Sequence, residues 1–338
     1  MDEPRYSVSI VVPCYNEAQS LPMLVDRVSD ELGPIADLTY ELILVDDGSS
    51  DSTFEVMKAL ASTHPQISYI RFVRNFGKEA ALLAGLRSAS GDAVIMMDAD
   101  LQHPPELMPT MIEKWQSGYD IVELVRARRP TLSRSLTGKA FYFVLNSISE
   151  VPIKDGTADF RLLSRRTVDA FLTLPEETRF LRGQLAWLGF PTITLNFEAP
   201  ERSAGKSTYS IRRLFSLALD AVVTLTSRPL HFALYVACFT LLVAVAYGIF
   251  VLIAYANGLV LVKGWASTIL LILFLGSANL FCTGILGLYL RAALAEIRRR
   301  PSYLVADFKP GWLAVRTSLA DAPPIPKDAD RIKSVSFP

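Results

Sequence analysis

The sequence predicts an α/β domain with a mainly parallel sheet, followed by a helical membrane anchor. Short β-branched apolar runs alternate with helix-like segments in the first third of the chain, and two long apolar segments stand near its C-terminal end. The short runs predict buried strands at 7–12, 41–45, 67–73 and 93–97. Between them Leu, Val and Ala recur at three- and four-residue steps, which predicts helices at 18–32, 52–63 and 77–90.

The pattern becomes less regular beyond the fourth strand. It favours helices at 133–148 and 165–174 and a strand at 192–197. Residues 209–228 have two arginines near their start and apolar residues on most of the remaining face. Such a segment suits an interfacial helix that lies on a membrane, and a buried amphipathic helix of the α/β domain is the alternative.

Two apolar segments, 230–256 and 265–290, are each long enough to cross a hydrocarbon layer of about 30 Å. No acidic or basic side chain interrupts either segment, and the turn between them holds a single charge, Lys263. Arginines flank both outer ends, so the positive-inside rule places those ends in the cytoplasm. These features predict a two-helix transmembrane hairpin, and two buried core helices are the alternative.

The predicted organisation therefore has four parts. Residues 1–208 form a cytoplasmic α/β domain, 209–228 a juxtamembrane amphipathic helix, 229–291 the transmembrane hairpin and 292–338 a cytoplasmic, proline-containing flexible tail. The first residues lack a basic segment followed by an apolar run, so no cleavable signal peptide is expected. Both termini are expected in the cytoplasm.

Composition and local sequence exclude several classes of protein. Lys+Arg and Asp+Glu number 34 each, so net charge indicates neither nucleic-acid binding nor acidic partners. Cys14, Cys238 and Cys282 share no close spacing and indicate neither a disulfide framework nor a zinc site. No glycine follows the first strand, which excludes a dinucleotide-binding oxidoreductase. Two charge-free spans cannot line a polar path alone, which disfavours a transporter.

Polar residues follow the first two predicted strands directly. The first strand ends in Pro13, Tyr15, Asn16 and Glu17, and the second ends in Asp46 and Asp47. Ligands of open α/β sheets bind at the carboxyl ends of the strands, so these residues are candidates for ligand binding. Ser49, Ser50 and Asp51 come next and are expected to cap the following helix.

The fourth predicted strand leads into the sequence DADLQHPPE. Asp98 and Asp100 can reach one divalent cation, because side chains i and i+2 of an extended chain point the same way. Gln102 can add an oxygen ligand, and these hard ligands predict Mg²⁺ or Mn²⁺. His103 precedes two prolines, so it is expected to be a loop residue and not a ligand, while the prolines should start the next helix.

Seven motifs precede the apolar segments in the order VPCYNE, VDDGSSDST, RNFGKEAALLAG, DADLQHPPE, DFRLLSRR, FLRG and RSAGKSTY. Together they resemble family 2 glycosyltransferases of the polyprenyl-phosphate type, which include bactoprenol glucosyltransferases and dolichyl-phosphate mannose synthases. The resemblance covers about residues 6–305. It implies a GT-A nucleotide-sugar-binding fold and transfer of one sugar from a nucleotide diphosphate to a polyprenyl phosphate, with inversion at the anomeric carbon.

The resemblance also implies roles for single residues. Glu17 would contact the ribose and Asp46 the base or ribose region of the donor, and the metal held by the DADLQ motif would bridge the two donor phosphates. Arg74 and Lys78 would lie near the donor, with surface charges on a loop and first helical turn as the alternative. Asp159 would lie near the sugar and the acceptor, whereas its neighbour Arg161 either acts there or simply pairs with a buried acid.

An anion-binding group is implied just before the membrane, with Arg182, Arg202, Lys206, Ser207 and Tyr209 as its members. Similar proteins usually read Gly-x-Ser-Lys-Tyr at this place, whereas Lys206 stands two positions earlier in this sequence. Arg202 is therefore the better candidate for contact with the lipid phosphate.

The residues expected to act in the reaction are Asp100, Asp159 and Arg202. The residues expected to contact the donor, the metal or the lipid phosphate are Pro13, Tyr15, Glu17, Asp46, Asp47, Lys78, Asp98, Asp100, Gln102, Arg182, Lys206 and Ser207.

The motifs DFRLL and FLRG resemble the bactoprenol glucosyltransferases most, which favours UDP-glucose as the donor. GDP-mannose, UDP-N-acetylglucosamine and a UDP-aminoarabinose derivative are alternative donors, and a non-catalytic membrane adaptor that kept the fold is an alternative function. A processive polysaccharide synthase is disfavoured, because it would have more spans and a Gln-x-x-Arg-Trp motif. Small residues in the second span, including Gly276, Gly284 and Gly287, would allow association into homo-oligomers.

Overall fold

The structure is a computed structural model that describes residues 6–126, 157–174, 181–197, 228–257, 265–298 and 300–310. The chain divides into two compact units. The sheet unit contains the described residues up to 197 together with 301–310, and the helical unit contains the described residues from 228 to 300. The predicted helices at 133–148 and 209–228 lie outside the described residues.

The sheet unit is organised by one mixed sheet. Its strands are β1 (Tyr6–Cys14), β2 (Leu38–Asp46), β3 (Ile67–Phe72), β4 (Ala93–Met96), β5 (Ile121–Arg126), β6 (Thr157–Ser164), β7 (Thr192–Phe197) and β8 (Val305–Lys309). They are ordered β7-β5-β6-β4-β1-β2-β3-β8. The four central strands β4, β1, β2 and β3 are parallel, as predicted, and β7 is parallel to β5. β6 runs antiparallel to both its neighbours, and β8 runs antiparallel to β3.

Helices cover both faces of this sheet. They are α1 (Leu21–Leu32), α2 (Thr53–Thr63), α3 (Lys78–Ser88), α4 (Met108–Gln116), α5 (Arg165–Leu172) and α6 (Leu181–Leu188), with a 3₁₀ turn at Pro105–Leu107 that leads into α4 as expected from the two prolines. Successive residues of a strand face opposite sides. Val8, Ile10 and Val12 of β1 accordingly pack in the core under α1, α2 and α4, while Val11 packs on the other side with α3, α5 and α6. Because both faces are buried, the central strands are continuous apolar runs.

Four elements were not predicted from the sequence: β5, β6, α6 and β8. The predicted tail also differs from the structure at its start, since the last long helix continues to Arg298 and Val305–Lys309 form a strand of the sheet. β8 pairs with the edge of β3, with Ile70 opposite Phe308 and Arg71 opposite Asp307. Only this tertiary pairing supplies backbone partners for so short a strand.

The helical unit contains two long helices, α7 (Arg228–Ala256) and α8 (Trp265–Arg298). They are neighbours, with the Sγ of Cys282 lying 3.6 Å from the carbonyl oxygen of Ala233. Among the described residues one segment, Phe274–Leu294, is long and apolar enough to cross a bilayer, and a shorter apolar segment lies at Phe232–Tyr247. The prediction of two helices here is confirmed, and the prediction that both span a membrane stays a prediction.

Candidate active site

A cluster of four charged side chains connects α3, β6, α6 and the loop after β4. The Nζ of Lys78 lies 2.5 Å from Oδ1 of Asp98 and 2.6 Å from Oδ2 of Asp159. The Nε of Arg182 donates to Oδ1 of Asp159 at 2.7 Å. Four residues that the sequence placed in the site, from four different parts of the chain, are therefore in one contiguous network.

The network fixes the ionisation of its members. Burial alone would raise the pKa of the Asp159 carboxyl, but Lys78 and Arg182 outweigh burial and hold that pKa well below its ordinary range. Burial works to lower the pKa of Lys78, and the carboxylates of Asp98 and Asp159 outweigh it and raise that pKa. At neutral pH Asp159 is therefore ionised and Lys78 is charged.

The loop after β4 is a closed turn and not an extension of the strand. β4 ends at Met96, earlier than predicted, and Leu101 adopts a left-handed backbone conformation with φ of 59°. The backbone N–H of Gln102 donates to Oδ1 of Asp100 at 3.1 Å, and the N–H of Asp98 donates to Nδ1 of His103 at 2.9 Å. Asp98 and Asp100 therefore lie at a turn and not along an extended strand, so the predicted extended backbone is wrong here. Their binding of one shared cation stays a prediction.

His103 is a structural residue of this turn. Its ring is buried and stacks on Phe160 with 5.1 Å between ring centroids. Burial lowers its pKa, although Asp98 opposes this, so the ring is neutral and its Nδ1 accepts the bond from the N–H of Asp98. The expectation that His103 belongs to the loop agrees with this arrangement, and its buried stacking on β6 is a feature that the sequence did not indicate.

The donor set of the predicted metal site suits a hard divalent cation. Asp98 is partly exposed, Asp100 is exposed, and Gln102 lies in the same turn with an amide oxygen as a third ligand. In the part of the chain that the structure describes, no group of three or more His, Cys, Asp or Glu side chains converges to hold a metal ion. The set of two carboxylates and one amide is not such a group, and its remaining ligands would be water and phosphate oxygens.

The ends of β1 and β2 are tied to each other by hydrogen bonds. Asn16 has φ of 58°, its N–H donates to Ser49 Oγ at 3.0 Å, and its Oδ1 accepts from the N–H of Ser50 at 2.9 Å. The N–H of Glu17 donates to Thr53 Oγ1 at 2.8 Å. The VPCYNE and VDDGSSDST motifs therefore form one surface at the carboxyl edge of the parallel strands.

The predicted nucleotide contacts on this surface differ in exposure. Pro13 is partly buried and Tyr15 is exposed, while burial raises the pKa of the Glu17 carboxyl, whose Oε2 accepts from Ser20 Oγ at 2.6 Å. Asp46 is completely buried, accepts from the N–H of Ser49 at 2.9 Å and lies 3.4 Å from the Nε of Arg71. Its contact with the nucleotide stays a prediction.

Asp47 and Gly48 hold the loop that precedes Lys78. The carboxylate of Asp47 accepts from the N–H groups of Phe76 at 2.7 Å and Gly77 at 2.9 Å. Gly48 has φ of +69°, and a Cβ at this position would lie 2.4 Å from the carbonyl carbon of Arg74. In the structure Asp47 positions the RNFGK loop, and its predicted contact with the nucleotide stays a prediction.

Two other candidate arginines differ in their exposure and in their contacts. Arg74 is exposed and its guanidinium lies over the ring of Phe76, 4.2 Å from the centroid. Arg161 is 1% exposed and its Nη1 lies 3.7 Å from Oε1 of Glu123, which confirms the alternative that this arginine pairs with an acid. Arg202, Lys206 and Ser207 lie outside the described residues.

Glu79 is a residue that the sequence analysis missed. Its carboxylate accepts from the backbone N–H of Leu181 at the start of α6, next to Arg182. Burial raises its pKa, and the nearby Asp159 raises it further. The sequence shows an acidic residue directly after Lys78, and acidic side chains are favoured near helix N-termini. It does not show that the helix N-terminus that Glu79 contacts is that of α6.

Comparison with known proteins identifies the family. The family described as glycosyl transferase family 2 matches residues 9–170. The chain is 39% identical over 302 residues to an uncharacterized glycosyltransferase of Synechocystis, covering 89% of this chain and 95% of that protein. It is 38% identical over 305 residues to the SfII prophage-derived bactoprenol glucosyl transferase of Shigella flexneri, covering 88% of this chain and 97% of that protein.

Among solved structures, glucosyl-3-phosphoglycerate synthase from Mycobacterium tuberculosis, in complex with Mn²⁺, UDP-glucose and phosphoglyceric acid, is 20% identical. Its TM-score is 0.47, over 65% of this chain and 78% of that one. The sequence similarity defines the class of protein: this chain belongs to glycosyl transferase family 2. Its sheet unit is a GT-A-like α/β domain with a mixed, mainly parallel sheet.

Proposed function

We propose that this protein transfers one glucose from UDP-glucose to a polyprenyl phosphate, giving polyprenyl-phosphate glucose. The observation that carries this proposal is the 38% identity to a bactoprenol glucosyl transferase over 88% of the chain. Coverage of that extent cannot be confined to the α/β unit. The acceptor lipid would thus be shared along with the fold, and bactoprenol is a polyprenyl lipid.

The charged cluster supplies chemistry that fits this reaction. When the bond between the sugar and the nucleoside diphosphate breaks, negative charge develops on the departing phosphate. Cationic side chains held in fixed positions stabilise that charge where it forms. Lys78 and Arg182 are both oriented by Asp159, at 2.6 Å and 2.7 Å. Because their positions are set before the substrate arrives, little reorganisation is needed during the reaction.

Asp159 would act in this scheme by positioning and not as a general base. Its pKa is held well below the ordinary range by Lys78 and Arg182, although burial opposes them, so it is a weak proton acceptor at neutral pH. A phosphate monoester is already ionised at neutral pH and needs no deprotonation before it attacks. In-line attack by the lipid phosphate oxygen at the anomeric carbon would invert its configuration.

The DADLQ turn would hold the divalent cation through Asp98, Asp100 and Gln102. Bound there, Mg²⁺ or Mn²⁺ would supply neutralisation of the donor diphosphate. The contact of Lys78 with Asp98 at 2.5 Å supports a role for the cationic cluster beside the proposed ligands. Glu17 and Asp46 would bind the nucleoside at the neighbouring strand ends, and Arg202, Lys206 and Ser207 would bind the lipid phosphate.

The anchor of the proposed enzyme follows from its acceptor. A polyprenyl chain stays in the bilayer while its phosphate lies at the interface. In the proposed topology α7 and α8 both span the membrane, residues 209–228 lie on its surface, and both termini are cytoplasmic. Association between copies through the small residues of α8, among them Gly276, Gly284 and Gly287, is part of the proposal.

Transfer of radiolabel tests the proposal. Purified full-length protein would be incubated with undecaprenyl phosphate and a panel of UDP- and GDP-sugars, with and without Mg²⁺ or Mn²⁺. Asp100→Ala removes a proposed metal ligand, and Asp169→Ala removes an exposed carboxylate of α5 as the matched control. We expect metal-dependent label in the lipid from UDP-glucose, retained in the control and lost in Asp100→Ala.

Transfer from another donor would correct the sugar and keep the reaction. Nucleotide binding without transfer from any donor would contradict the proposed function and favour the non-catalytic adaptor.

A further inference from the structure

The chain returns to the sheet unit directly after its last long helix. β8 (Val305–Lys309) pairs with β3, the strand that leads into the RNFGK loop. The N–H of Val73 donates to the carbonyl oxygen of Leu304 at 3.1 Å, which extends this pairing beyond the end of β3. Asp307 adds an ion pair with Lys58 at 3.4 Å. The return segment, defined as residues 303–309, therefore pairs with β3, the strand that precedes the loop before Lys78.

Aromatic side chains continue this contact toward the site. The ring of Tyr303 stacks on Phe72, with 4.9 Å between centroids and 15° between planes. Phe72 packs edge-on against Phe76 at 5.8 Å, and the guanidinium of Arg87 lies over Tyr303 at 5.8 Å. Aromatic pairs of this kind contribute stability beyond that of the area they bury. Phe76 is two residues before Lys78, so the stack ends next to the charged cluster.

The loop between Phe72 and Lys78 has few restraints of its own. Val73, Arg74 and Asn75 are exposed, and among the described residues a Cβ at Gly77 would meet nothing within 4 Å. Burial therefore acts on this loop through Phe76, which packs partly buried against the core. Asp47 and Gly48 hold it from one side through the backbone of residues 74–77. Tyr303 and Leu304 hold it from the side of β3.

We propose that Tyr303 is a positioning residue for the transfer reaction, which holds the RNFGK loop through Phe72 and Phe76 so that Lys78 faces Asp98 and Asp159. The inference rests on the proposed function, in which Lys78 stabilises the departing phosphate. It gives Tyr303, which follows the last long helix, a role in supporting the site from a part of the chain that was predicted to be a tail. A displacement of about 1 Å at a reacting group can cost roughly 100-fold in rate.

Two variants and a control test this proposal in the full-length protein in detergent. Tyr303→Ala removes the stacked ring, Tyr303→Phe keeps the ring and removes the hydroxyl, and Phe308→Ala truncates a 39% exposed side chain of the same strand. The measurements are kcat and KM for the nucleotide sugar, and amide hydrogen exchange of residues 73–78.

We expect Tyr303→Ala to lower kcat by about 10- to 100-fold with a smaller change in KM, because the lost positioning acts on the departing phosphate. Exchange at residues 73–78 should rise by at least about tenfold, since one restraint on the loop is gone. Tyr303→Phe should restore both to within about twofold, and Phe308→Ala should leave both unchanged.

Unchanged exchange and kcat in Tyr303→Ala would overturn the proposal. An equal effect of Phe308→Ala would also overturn it, because the role would then be general stability of β8. Exchange does not depend on the donor or acceptor. Wild-type protein without transfer activity would therefore contradict the proposed function, while exchange would still decide whether Tyr303 holds the loop.

Discussion

Lys78 and Asp159 are 81 residues apart in the chain, and their side chains meet at 2.6 Å. Lys78 is the first residue of α3, and Asp159 lies in β6. The order of the strands in the sheet brings these two elements together. The contact joins a motif at a parallel strand end to a motif on an antiparallel strand. It also orients Arg182, so one carboxylate organises both cations of the candidate site.

Lys78 and Arg74 should differ sharply when each is replaced. Lys78→Met removes a cation that is held by two carboxylates, and we expect a loss of about 100-fold or more in kcat. Arg74→Met removes an exposed cation that lies over Phe76, and we expect a change below about threefold. Steady-state transfer assays on both variants measure this. Equal losses would indicate that Arg74 also contacts the donor.

Asp159→Asn should lower kcat by about 100- to 1,000-fold, because both Lys78 and Arg182 lose the charge that orients them. The pH dependence of kcat separates positioning from proton transfer. The pKa of Asp159 lies well below its ordinary range, so this residue does not titrate between pH 5 and 8. Any fall of kcat near pH 6 should come from the acceptor phosphate and persist in the variant. An acidic limb that disappears in Asp159→Asn would instead identify a general base.

Gly48→Ala should destabilise the protein more than Gly118→Ala. Both glycines have positive φ, +69° and +100°, so both alanine variants incur a backbone cost of about 1–2 kcal/mol. A Cβ at Gly48 would also lie 2.4 Å from the carbonyl carbon of Arg74, whereas a Cβ at Gly118 would meet none of the described residues within 4 Å. We expect a further cost of roughly 1–3 kcal/mol for Gly48→Ala, measured by urea unfolding. Equal costs would show that the loop moves away freely.

Asp120→Asn should reduce stability in a pH-dependent way. The bond from Arg166 lowers the pKa of the buried Asp120 carboxyl, burial opposes this, and Ser164 Oγ donates at 2.8 Å and lowers it further. A lowered pKa means that the stabilisation is complete above the unfolded value near about 4 and is lost as pH falls through the folded value. We expect a deficit of roughly 1–3 kcal/mol at pH 7.

That deficit should begin to shrink below about pH 4, where the Asp120 carboxylate of the unfolded wild-type chain takes up a proton while the folded one is still ionised. Thermal unfolding in nonionic detergent at pH 7, 5 and 3.5, with Asp169→Asn as an exposed control, measures it. A deficit that is constant over this range would contradict the role of the ionised carboxylate.

The limits of sequence-based prediction are clearest at β6 and β8. The four central strands were predictable because strands buried on both faces are continuous apolar runs. β6 instead has the buried Arg161 in its middle, a charge that acidic groups stabilise, among them Glu123 of the neighbouring strand at 3.7 Å. β8 alternates partly buried and exposed residues, and among the described strands its backbone partner is β3. Neither the acidic partner of Arg161 nor the strand partner of β8 can be identified before the chain is folded.

By itself, the sequence determined the parallel core, the acidic strand ends and the two long helices, because local apolar patterns and turn residues encode these features. Only the tertiary structure decided how the motifs act on each other. Asp47, which the sequence predicted as a nucleotide contact, also holds the loop before Lys78. The DADLQ motif is a turn closed by His103. Tyr303 stacks on Phe72, at the start of the loop before Lys78. These contacts join residues that are far apart in the chain, and such contacts follow from the order of strands in the sheet and not from any local pattern.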